Sequence, residues 1–96
     1  MNASIWKTPL SPQKQNLNTA LYCVLVPDGA KPLCVQMQGG WPTIWWYVDI
    51  EAELRERQFR IVGTGWEFPE EEAPLSGYVG TVQEAGGALV WHVFEV

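Results

Sequence analysis

The sequence predicts a small all-β protein: a single antiparallel domain over residues 1–96, a meander folded into a sandwich or barrel-like body with at most one short helical turn. Three observations predict it. The apolar segments are short and rich in β-branched and aromatic residues, the side chains that suit a pleated, half-buried surface. Gly, Pro and Asp separate them, which punctuates strands and leaves helices little room. The chain of 96 residues, 47% hydrophobic, is long enough for one core and too short for two.

In chain order the expected strands are "SIWKTP", "ALYCVLV", "PLCVQMQ", "TIWWYVD", "QFRIVGT", "GYVGTVQ" and "ALVWHVFE". "PDGA" places Asp28 and Gly29 at the centre of a tight hairpin, since that pair supplies the positive φ angles of a two-residue turn. If Pro27 faces Ala30, Cys23 faces Cys34, and the two cysteines become cross-strand neighbours. They form either a packed thiol pair or a redox latch. "GGWP" (39–42) joins the next two strands and "EAGG" (84–87) the last two. "EAELRER" (51–57) offers Glu51 with Arg55 and Glu53 with Arg57 at i,i+4, so it reads as a solvated connector able to hold one helical turn. "EFPEEEAP" (67–74) is an acidic loop bounded by proline.

The net charge of −5 argues against duplex nucleic acid, whose binders neutralise phosphates with basic side chains. A single small nucleotide stays open, because backbone N–H groups, an arginine and aromatic stacking can hold one. The N-terminal residues carry no apolar run of signal-peptide length, and no stretch approaches a membrane helix. A cytoplasmic protein with reduced thiols is expected, and no cofactor is implied.

Candidate site residues follow from the strand pattern. Alternation in "PLCVQMQ" puts Leu33, Val35 and Met37 on the core face and Cys34, Gln36 and Gln38 on the other. The two amides there can read a base edge or line an ordinary polar face. "TIWWYVD" is apolar on both faces, with Trp45 and Tyr47 opposite Ile44, Trp46 and Val48, so a second layer or another subunit must cover it. That pattern predicts a homo-oligomer, with Trp45, Tyr47 or Trp41 at its interface or stacked on a ligand. In "RIVGTGW", Gly63, Thr64 and Gly65 form either a bend or an anion nest, with Arg60 beside them. His92, the one histidine, is a strand residue with satisfied ring nitrogens or a general base. Glu95, Glu67 and Thr64 are its possible companions, though no spacing makes them converge. One histidine does not make a zinc site.

"CVQMQGGWPTIWWYVD", "FRIVGTGW" and "YVGTVQEAGGALVWHVFE" resemble a family of small, mostly uncharacterised phage and prophage proteins. That family shares the pattern "LCVQ.Q.G.P.IWALVD", "FRI.GTGH" and "YIGT.Q..GGALVWHVFE". The likeness runs from about Pro27 to the end and departs at Trp66, where the family often has histidine. It points to Gln36, Gln38, Gly63, Thr64, Gly65, Gly80, Thr81 and His92 as a shared site. By analogy with small phage proteins that sequester host immune nucleotides, it implies non-catalytic capture of a nucleotide-derived signal. In that role Trp45, Tyr47 and Trp66 stack, Gln36 and Gln38 bond base or ribose, Arg60, Thr64 and Gly65 hold phosphate, and His92 orients a polar group. Two rival expectations remain: an acidic inhibitor or adaptor that docks the loop 67–72 on a basic host protein, and a small hydrolase using His92.

Overall fold

The computed structural model describes residues 1–96, which form seven antiparallel strands in two packed sheets. They are β1 (Ala3–Pro9), β2 (Tyr22–Pro27), β3 (Lys31–Gln38), β4 (Trp41–Asp49), β5 (Leu54–Gly63), β6 (Tyr78–Glu84) and β7 (Leu89–Glu95). One sheet has the order β1-β4-β3 and the other β2-β5-β7-β6. Helix is confined to isolated 3-10 turns such as Pro12–Lys14 and Glu70–Glu72. The all-β, antiparallel expectation holds, and every expected strand is present.

The connectivity is not a simple meander. Only β3–β4 and β6–β7 are hairpins between sequence neighbours, because the chain crosses between sheets after β1, β2 and β4. The Asp28–Gly29 turn does form, with Gly29 at φ 77° and the Ala30 N–H donating to the Pro27 carbonyl at 3.0 Å. It turns a corner between layers instead of closing a ladder. Cys23 therefore lies opposite Gln58 and Cys34 opposite Trp45, so the expected cysteine pair does not exist. The reason is burial: Val24 and Val26 before the turn and Val35 after it all enter one core, and two layers bury them where a single sheet would leave that face bare.

The segment 51–57 also departs from expectation. A tight turn, in which the Ala52 N–H donates to the Asp49 carbonyl, leads straight into β5 at Leu54. Strand periodicity replaces the i,i+4 pairs. Arg55 reaches Glu53 at 3.0 Å, and Arg57 turns inward to a bidentate pair with Glu95. In β3 a register shift between Pro32 and Cys34 throws Leu33 out to solvent, breaking the expected alternation there.

The core sits between the sheets. Trp46 and Phe59 are fully buried and meet edge to face at 5.7 Å, and Thr8 Oγ1 accepts the Trp46 indole N–H at 2.9 Å. Along one side β6 approaches β3 so closely that a Cβ on Gly80 would lie 2.6 Å from Val35 Cγ1. The opposite side, between the edge strands β1 and β2, remains a groove of about 350 Å³. No second layer covers the outer face of β1-β4-β3, where Tyr47 is 45% exposed beside Ile5 and Trp45.

Candidate functional site

Three tryptophans converge on one end of the sandwich. Trp41 comes from the β3–β4 hairpin, Trp91 from β7, and Trp66 from the segment following β5. Together with Leu10, Tyr22 and Ile61 they line a cleft of about 480 Å³. Gln15, Arg60 and Glu84 supply its polar groups.

The glycines of "GTGW" explain how Trp66 arrives there. Gly65, at φ 86°, and a hydrogen bond from the Trp66 N–H to the Gly63 carbonyl (3.1 Å) reverse the chain. The Trp66 ring then lies directly on Gly63, where a Cβ would sit 2.7 Å from the indole. Trp66 meets Trp91 at 5.7 Å with an interplanar angle of 81°, so the two rings form perpendicular walls. Glu84 Oε1 accepts the Trp91 indole N–H at 2.7 Å. Burial at the cleft floor raises the Tyr22 phenol above its ordinary value. Arg60 donates its Nε proton to the Glu72 carbonyl at 2.9 Å, and its terminal nitrogens form no hydrogen bond within the chain.

A second cluster lies on the outer face of β5-β7-β6. His92 Nε2 is 2.7 Å from Thr64 Oγ1, and Nδ1 is 2.9 Å from Thr81 Oγ1, which in turn bonds the Tyr78 hydroxyl. Both ring nitrogens are thus occupied by hydroxyls. Of the companions expected for His92, Thr64 is in place, whereas Glu95 points to the other face and holds Arg57. The ring contacts are both to threonine hydroxyls. The cluster is well built for hydrogen bonding.

The remaining expected residues occupy a third place. Gln36, Trp45 and Tyr47 lie on the outer face of β1-β4-β3, and Gln38 there accepts a hydrogen bond from Lys7 Nζ at 2.6 Å. The expected constellation is therefore divided: Arg60 and Trp66 line the cleft, Thr64, Gly65 and His92 cluster around the turn behind it, and the glutamine face is separate from both. Sequence reasoning missed Trp91, Glu84 and Tyr22 as cleft residues and Tyr78 as a member of the histidine cluster. Counting back from the "EAGG" turn pairs Val82 with Trp91 and Thr81 with His92, so the register held part of this signal.

No group of three or more His, Cys, Asp or Glu is placed to hold a metal, and no helix is long and apolar enough to cross a membrane. No curated protein and no solved structure matches the chain. Its sequence matches, over residues 1–96, a family described as a domain of unknown function, and the chain belongs to that family, DUF7352.

Proposed function

We propose that this protein binds a small nucleotide-derived molecule in the tryptophan cleft and holds it unchanged, as a phage-encoded counter-defence protein sequestering an immune signal in the host cytoplasm. One observation carries the reading: perpendicular indole walls, an arginine and a carboxylate share a cleft of about 480 Å³, while the histidine cluster lies on another face. Flat aromatic walls bind the π-face of a base, and the Arg60 guanidinium suits a phosphate. Trp66 is the principal stacking residue. The glutamine face, with Trp45 and Tyr47, serves a homo-oligomer.

The test is to incubate the purified protein with nucleotide extracts from defence-activated cells, wash it, denature it by heat, and identify the released molecules by mass spectrometry. One unmodified nucleotide is expected in stoichiometric amount. Trp66→Ala should weaken its capture about 10- to 100-fold, the worth of one stacked base. A chemically altered product would instead assign His92 a hydrolytic role, and release of nothing would overturn the proposal.

A second reading, capture of a basic host protein, is favoured by the exposed turn Glu70–Glu72, whose carboxylates form no ion pair within the chain. It requires that neutralising Glu70, Glu71 and Glu72 abolish function while Trp66→Ala does not.

A further inference from the structure

We infer that the cleft selects a guanine base and that Glu84 is the residue that reads it, an inference that rests on the nucleotide reading above. Glu84 closes β6 and lines the cleft. Its Oε1 is anchored by the Trp91 indole N–H at 2.7 Å, and it forms no ion pair. Anchoring fixes the direction of the carboxylate and leaves Oε2, with the second lone pair of Oε1, to receive a ligand.

Glu84 and Trp66 line the same cleft, so the carboxylate is placed to read a base stacked on that indole. A base stacked on Trp66 lies edge-on to Trp91, because the two rings are 81° apart. The Trp91 N–H lies in its ring plane and so holds the Glu84 carboxylate at the rim of that wall, inside the cleft that Trp66 lines, where the hydrogen-bonding edge of a base can donate to it. A carboxylate accepts hydrogen bonds and does not donate them. Among the common bases only guanine presents two adjacent donors, N1–H and the 2-amino group, on one edge. Adenine and cytosine place an acceptor nitrogen next to their amine, and uracil flanks its single N–H with carbonyls. Each of these sets an acceptor against the carboxylate and leaves a buried group unpaired.

The probes are GMP, IMP and AMP, titrated by tryptophan fluorescence and calorimetry into the wild-type protein and into Glu84→Gln. The glutamine keeps an oxygen for the Trp91 N–H, so the cleft wall is preserved. GMP should bind about 10- to 100-fold more tightly than AMP, as one bidentate base contact supports. IMP, which lacks the 2-amino group, should fall between them. Glu84→Gln should erase the preference, weakening GMP and relieving the acceptor–acceptor clash with AMP. Equal binding of GMP and AMP, or a preference that survives Glu84→Gln, overturns the inference while leaving a nucleotide site. Failure of all three probes to bind the folded protein overturns both.

Discussion

Tyr22 shows how a single residue links the cleft to solution behaviour. Burial raises its phenol above 10.0 because the phenolate is poorly solvated there. The neutral ring thus contributes stability that is fully present below the unfolded value near 10.0, and is lost as pH rises through the higher folded value. Wild-type protein should lose urea resistance between neutral pH and pH ~11 more steeply than Tyr22→Phe. Parallel slopes would show that Tyr22 does not couple folding to alkaline pH. Residues of this kind were only partly legible in the sequence. "GTGW" signalled a glycine-dependent bend, and the bend is what lays Trp66 on Gly63. Which aromatic rings it would meet depends on strands distant in sequence, and no local pattern encodes that.

At the scale of elements, strand identity was legible because β-branched and aromatic runs broken by Gly, Pro and Asp leave few alternatives. Partner choice was not. "DG" specifies a tight turn, yet the same turn closes a hairpin or a corner between layers, and only the mutual burial of Val24, Val26 and Val35 decides. The segment 51–57 misled for a related reason: opposite charges at i,i+4 fit a helix, but Arg55 and Arg57 at i,i+2 share one face of a strand equally well, Arg55 exposed near its start and Arg57 half-buried farther in. The β1-β4-β3 sheet keeps an apolar outer face, with Ile5 and Leu33 each 54% exposed beside Tyr47 and Trp45. The proposed homo-oligomer would bury this face. Light scattering should give the wild-type protein a mass that is a multiple of 10.8 kDa, and Ile5→Glu with Tyr47→Glu should return it to one chain. A wild-type protein that stays at 10.8 kDa at high micromolar concentration would remove the face from the oligomer reading.

In the molecule as a whole, opposite ends of the sandwich have different work. One end opens into the cleft, and the middle and far end are tied by Arg57. Its guanidinium pairs bidentately with Glu95 on β7, donates to the Ala30 carbonyl at the β2–β3 corner (2.6 Å), and lies 4.9 Å over the Trp46 ring on β4. One side chain thereby joins both sheets and a crossing connection. The hydrogen bond to Glu95, foremost, and the nearby carboxylate charge raise the Arg57 pKa, so it stays cationic wherever the fold persists. Replacing it with methionine keeps much of the apolar stem but strands Glu95, half-buried, without a partner. The expected cost is about 2–4 kcal/mol, a fall in Tm of roughly 10–25 °C for a domain of this size. Arg57 is four residues from Ile61 along β5, roughly 13 Å at the rise of a strand, so the cleft should be spared. Arg57→Met measured below its lowered Tm should bind GMP as the wild type does. A loss of GMP affinity equal to the loss of stability would mean instead that the clamp and the cleft form one cooperative unit, with no division of labour between the two ends.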